Sequence, residues 1–224
     1  MANSENYVKE ILTCVAACAD FENGANQDLR FFRELSSALK AQKGRPSPGN
    51  KYFLVSPFQQ SIMNVVNSPH AGESSKLRAT GSPQIEWKTT SPLQGIRKFF
   101  DILIVNPPSR KSVAIEIKRR EFDGIAAAMI QIGLAIKYGE YLVGSFNRKR
   151  ERFPITSEDT LFVVLLADSG GRDERLFTGM KALVGDPDNV RFHAIFPERL
   201  RVSDPQDIWR RATGFFTELA EFFK

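Results

Sequence analysis

Apolar side chains recur along this chain at two spacings, three to four residues in some stretches and two in others. The changes between them lay out a succession of helices and strands. Residues 6–21 place Tyr7, Ile11, Leu12, Val15 and Cys18 at helical spacing, and Asn23-Gly24-Ala25-Asn26 is expected to break that helix. A second helix is expected over residues 27–42, with Leu29, Phe32, Leu35 and Leu39 inward and the Gly/Pro-rich residues 44–49 ending it. Residues 51–55 fit a short strand. Residues 56–66 fit a helix with Ser56 as N-cap and Pro57 in the first turn. Residues 67–82 are polar and rich in Gly and Ser, which predicts a loop or a short helix over 73–80. Ile85 and Trp87 alternate with polar neighbours, so residues 84–89 read as a half-buried strand.

Residues 99–120, FFDILIVNPPSRKSVAIEIKRR, hold two apolar strands parted by Asn106-Pro107-Pro108-Ser109. Proline cannot donate to a sheet ladder, and Asn and Ser punctuate turns, so this run predicts a hairpin. Folding symmetrically about Pro108 and Ser109 sets Val105 opposite Ser112, Leu103 opposite Ala114 and Asp101 opposite Glu116, with Lys118 further along the same face.

Beyond the hairpin, residues 123–137 are apolar nearly all round, as in a helix buried against a sheet. Residues 144–152, GSFNRKRER, read as a basic break, and residues 160–167, TLFVVLLA, as a fully buried strand. A helix over 173–184 and a strand over 190–196 follow. A terminal helix over 204–223 opens with Asp204 as N-cap and Pro205 in the first position. The expected class is α/β: a mixed β-sheet flanked by helices. Residues 1–50 form an N-terminal helical segment packed on the core, and residues 51–224 the α/β domain, within one globular unit.

Composition narrows this picture little. At 224 residues the chain can bury a proper core. Its net charge of +5 suits a polyanionic partner without requiring one. Cys14 and Cys18 alone build neither a disulfide framework nor a zinc site, so they are expected to be reduced core residues. The absence of a long apolar run and of a signal-peptide pattern points to a cytoplasmic protein without membrane contact. His70 and His193 are isolated, and His193 lies within an apolar strand, where a structural role is expected. No GxxxxGK[ST] loop occurs, and Gly170-Gly171 lacks nucleotide-loop spacing.

Candidate chemistry changes the picture most. Like charges opposed across strands repel, and a pair such as Asp101 and Glu116 persists most easily with a cation between them. Hard carboxylate oxygens suit Mg²⁺, and Lys118 would stabilise charge on a phosphoryl group. The plainer alternative is a solvated edge face carrying a cross-strand ion pair.

Asp101, fourteen residues, then Glu116-Ile117-Lys118 resembles the core motif of the PD-(D/E)XK nuclease superfamily, with Phe100 standing where the family name has Pro. The resemblance covers about residues 84–167 and implies a restriction endonuclease-like core (αβββαβ) with an N-terminal helical extension. It implies a Mg²⁺-dependent endonuclease, with Mn²⁺ as a substitute, that hydrolyses DNA phosphodiesters by metal-activated water, as restriction or defence enzymes do. Asp101, Glu116 and the Ile117 carbonyl would hold the metal, and Lys118 would be catalytic. Enzymes of this family that cut both strands commonly act as dimers, which implies a homodimer.

Many relatives add a helix glutamate. Glu34, Glu73 and Glu86 are the candidates in this chain, with Glu73 preferred. Gln131 is similar to the helix glutamine of RecB-like members, although Ala135 stands where those carry Tyr and Tyr138 comes three residues later. The alternative for Gln131 is a buried amide satisfied by backbone. Basic residues around the hairpin (Arg97, Lys98, Arg110, Lys111, Arg119, Arg120) and in the basic break (Arg148, Lys149, Arg150, Arg152) would neutralise phosphates. Two further readings compete: a non-catalytic nucleic-acid-binding or assembly module with a nuclease-like fold, and an α/β enzyme of another class whose hairpin acids are surface residues.

Overall fold

The hairpin pairs as its symmetry predicts, with Val105 opposite Ser112 and Leu103 opposite Ala114. Its loop closes through Arg110 at a positive φ of 61°. The computed structural model describes residues 4–25, 29–42, 55–68, 76–119, 122–168, 173–184, 187–196 and 204–224. In chain order the elements are α1 (Ser4–Ala25), α2 (Phe31–Ala41), α3 (Val55–Val66), β1 (Arg78–Gly81), β2 (Gln84–Trp87), β3 (Ile102–Asn106) and β4 (Lys111–Arg119). There follow α4 (Phe122–Tyr138), β5 (Gly139–Phe146), β6 (Lys149–Pro154), β7 (Thr160–Asp168), α5 (Asp173–Val184), β8 (Val190–Phe196) and α6 (Pro205–Phe222).

Five strands form a mixed sheet in the order β1-β3-β4-β7-β8, and β2, β5 and β6 form a second sheet in the order β2-β5-β6. β1, β3 and β4 run antiparallel, while β4, β7 and β8 run parallel. Parallel neighbours require crossovers; α5 lies between β7 and β8 in the chain, and α4 between β4 and β7.

Strand alternation sorts the large sheet into two apolar faces. Ile102, Ile104, Val113, Ile115 and Leu165 pack with Phe32 of α2, Phe58 of α3 and Phe215 of α6. Leu103, Val105, Ala114, Phe162 and Val164 pack with Met129 and Ile132 of α4 and with Phe146 of the second sheet. β7 is buried at all nine positions, as a central parallel strand covered on both faces must be. By the same alternation Asp101 and Glu116 belong to the α4 face.

Several expectations need correction. The polar stretch before β2 contains a strand: β1 borders β3, and the side-chain amide of Asn67 pairs with both the N–H (2.8 Å) and the carbonyl (3.0 Å) of Ala79, closing the outer edge. β2 ends at Trp87 and pairs with β5, so it belongs to the second sheet and meets the hairpin run only at its entry, where Gln84 bridges Phe99, and not along β3. The basic break is a hairpin, β5–β6, turning through Asn147 and Arg148 at φ 49° and 63°. That geometry suits a two-residue turn, but the charges of β6 hide its period. Asn23-Gly24 does not break α1, α2 begins at Phe31, and α3 begins at Val55 with Ser56 already inside its first turn. The α6 cap is as expected, with Asp204 accepting from the Gln206 N–H at 3.0 Å. Residues 44–49 and 51–54, His70, Glu73, Arg120 and Gly170-Gly171 lie outside the described residues.

Candidate active site

Asp101 sits one residue before β3 and is held from several directions. Its N–H donates to the Ile115 carbonyl at 3.0 Å, one residue off the ladder register that ends at Ile102 opposite Ile115, so Asp101 is tied to β4 beside Glu116 without being its ladder partner. Its carbonyl accepts from the Ser82 N–H at 3.0 Å and from Gln59 Nε2 of α3 at 2.5 Å. Its carboxylate Oδ2 accepts from the Ile117 N–H at 2.7 Å. The N–H and C=O of one strand residue point to the same side, so the Ile117 carbonyl faces the Asp101 end of β3.

Glu116 lies on β4 beneath α4 and is only 3% exposed. Lys118 Nζ lies 2.5 Å from Glu116 Oε2 and 3.7 Å from Asp101 Oδ2. These two contacts hold the acidic oxygens within about 6 Å of one another, and Glu116 is buried on a strand with neighbours on both sides, not on a sheet edge. Gln131 of α4 donates through Nε2 to Glu116 Oε1 and, at 2.8 Å, to the Phe99 carbonyl. Gln131 therefore joins the site and satisfies a backbone carbonyl at once.

Burial pushes the Glu116 carboxyl up to about 8; Lys118 pulls the other way, and the Asp101 charge adds to the rise. Burial also works to lower the Lys118 pKa, but the Glu116 and Asp101 carboxylates outweigh it and the net shift is upward. The arrangement is two acids sharing one ammonium. That donor chemistry fits a hard divalent cation: Asp101, Glu116 and the Ile117 carbonyl are the oxygens available, with water completing the shell. Among the described residues no group of three His, Cys, Asp or Glu side chains converges as a metal centre, so the two acids would need that carbonyl.

The other candidates scatter. Glu34 accepts from Asn64 Nδ2 at 2.7 Å between α2 and α3. Glu86 pairs with Arg150 at 2.9 Å and Arg152 at 3.1 Å on the second sheet. Arg119, at 6% exposure, is too buried to meet a phosphate at the surface. Arg97 and Lys98 are exposed just ahead of Asp101, while Arg148, Lys149 and Arg150 are exposed on the β5–β6 hairpin. His193 Nε2 lies 2.5 Å from Glu218 Oε2 with its ring edge-on to Phe215, a structural setting in which burial lowers its pKa despite Glu218. Cys14 and Cys18 are buried and free. Sequence reasoning missed Gln59, which braces Asp101; a polar position on an amphipathic helix carries no mark of such a role. It also passed over the Phe99 side chain, exposed two residues from Asp101.

Comparison of the chain with profiles of known protein families, with curated proteins and with solved structures finds no match in any of the three. Among the described residues no helix is long and apolar enough to cross a membrane.

Proposed function

We propose that this chain is a Mg²⁺-dependent nuclease of the PD-(D/E)XK type, acting on DNA. The observation that carries the reading is the convergence of Asp101, Glu116 and Lys118 on one point, with Lys118 Nζ within 4 Å of both carboxylates. The order α3-β1-β3-β4-α4-β7 supports it, since it follows the αβββαβ succession of that superfamily with β1 in place of the expected β2.

Asp101, Glu116 and the Ile117 carbonyl would hold the ion, which supplies the Lewis acidity that phosphodiester hydrolysis needs. Lys118 sets a positive charge beside the place where negative charge develops on the phosphoryl oxygens. Gln131 and the Ile117 N–H fix the two carboxylates so that neither reorients as the phosphate arrives.

The reading is tested by incubating DNA with the protein in Mg²⁺ or in EDTA. Cleavage is expected only with metal, and Asp101→Ala and Lys118→Ala are expected to lower it by about 10²–10³-fold. Equal cleavage by the variants would overturn the roles of Asp101 and Lys118. One observation favours a second reading, a non-catalytic nucleic-acid-binding module: both Glu116 oxygens already have partners, Lys118 and Gln131. Salt-sensitive binding with no cleavage of any substrate would select it.

A further inference from the structure

Residues 96–99 combine a firmly held backbone with side chains that the fold leaves largely outward. The Ile96 carbonyl accepts from Trp87 Nε1 at 2.6 Å, the Lys98 carbonyl from the Ile85 N–H at 3.0 Å, and the Phe99 carbonyl from Gln131 Nε2 at 2.8 Å. Phe99 also forms a bridge with Gln84, and the next residue, Phe100, is buried with its N–H on the Pro83 carbonyl. A segment pinned this way should bury every second side chain. Instead Ile96, Arg97, Lys98 and Phe99 are all exposed, and Ile96 and Phe99 each keep 47% of their surface in water. Ordering such a segment costs conformational entropy that its half-exposed apolar side chains offset only in part. Rigid backbone with outward aromatic and cationic groups is what a binding surface requires.

We propose that residues 96–99 form the contact for an unpaired strand of nucleic acid, with Phe99 stacking on a base and Arg97 and Lys98 meeting the flanking phosphates. The proposal rests on the nuclease reading and names its substrate class: single strands, flaps or frayed ends. The chemistry favours an unpaired strand because a stacking aromatic ring needs an open base face, whereas in a duplex the base faces cover one another and only the groove edges are accessible. Phe99 lies two residues before Asp101, about 7 Å of extended chain, so a base held there lies beside the reacting phosphate. The same Gln131 amide holds the Phe99 carbonyl and Glu116, which ties the stacking platform to the acids.

The test is fluorescence anisotropy in EDTA with a labelled single strand of DNA, the same sequence in RNA, and a blunt duplex. Single strands are expected to bind more tightly than the duplex. Phe99→Ala should weaken single-strand binding about 10-fold and leave duplex binding unchanged. Phe99→Trp should keep affinity within about 3-fold, with its added emission quenched on binding. The double variant Arg97→Ala/Lys98→Ala should reduce the salt slope by about 1.4, roughly 0.7 per phosphate contact on a single strand. Unchanged single-strand affinity in Phe99→Ala, or tighter binding to duplex, would overturn the proposal and leave the segment as a protein-contact surface. Phe99-dependent binding without cleavage in Mg²⁺ keeps this inference and removes the nuclease reading. Cleavage that needs Asp101 and Lys118 but is indifferent to Phe99 does the reverse.

Discussion

Among the described residues two glutamates are buried, and their surroundings differ. Glu22, fully buried near the end of α1, faces the first turn of α2, where Oε2 accepts from the Arg33 N–H at 3.4 Å and lies 4.0 Å from Arg33 Nε. Its Oε1 has no hydrogen-bond partner. Burial pushes its carboxyl up to about 7, although α2's first N–H groups and Arg33 oppose the shift. Glu116 is buried as well, yet both its oxygens have donors and a second acid stands beside it. A lone buried acid at a helix N-terminus is a packing compromise between dipole and desolvation. A buried acid that shares a cation with another acid is a candidate site. Burial and a raised pKa alone do not separate the two; convergence of groups does.

The sharpest way to break that comparison is to neutralise each acid. Glu116→Gln is expected to lower cleavage by about 10³-fold. It should also abolish any rise in melting temperature on adding Mg²⁺, because an ion that binds only the folded state stabilises it in proportion to its affinity. Glu22→Gln is expected to leave cleavage unchanged and to act on stability alone. The folded-state pKa of Glu22 is raised from 4.5 to about 7, so its contribution is fully present below pH 4.5 and is lost as pH rises to about 7. Denaturant titrations at pH 4 and pH 8 should show a loss of stability in the wild type to which both raised acids contribute, and Glu22→Gln should remove about 3 kcal/mol of it while leaving the share of Glu116. Activity lost in Glu22→Gln at unchanged fold would erase the distinction.

Smaller effects probe the supports. Gln131→Ala, which frees Glu116 Oε1 and the Phe99 carbonyl, should cut cleavage about 10-fold while Gln131→Glu repels Glu116 and cuts it further. Gln59→Ala removes one of two donors to the Asp101 carbonyl and should cost about 1 kcal/mol of stability with a few-fold loss of rate. Gly81→Ala reports on the same brace, since a Cβ there would come within 2.8 Å of Gln59 Nε2. Because that amide is the end of a flexible side chain, the expected loss is the smallest of the set, read as a slight fall in melting temperature.

Local rules made much of the site legible. Pro107-Pro108 and the apolar alternation on either side set one register, which holds as far as Ile102 opposite Ile115 and so carries Asp101 to the neighbourhood of Glu116, because a short loop leaves a hairpin little choice of pairing. The same locality explains why α5, β8 and the α6 cap could be read from residue pattern and capping chemistry. Where polar residues carried a strand the reading failed. Arg78–Gly81 and Lys149–Pro154 have little apolar alternation and are strands because β3 and β5 offer them hydrogen-bonding edges.

The sequence by itself determined the α/β class, the hairpin register and the identity of the opposed acids, since each depends on interactions within a few residues or across one turn. Only the tertiary structure decided that β1 and not β2 flanks β3, that Gln131 and Gln59 reach the acids from two helices, and that residues 96–99 are pinned with their side chains outward. Those facts depend on contacts between distant segments, where the partner is set by packing the whole core and leaves no periodic trace at either end of the contact.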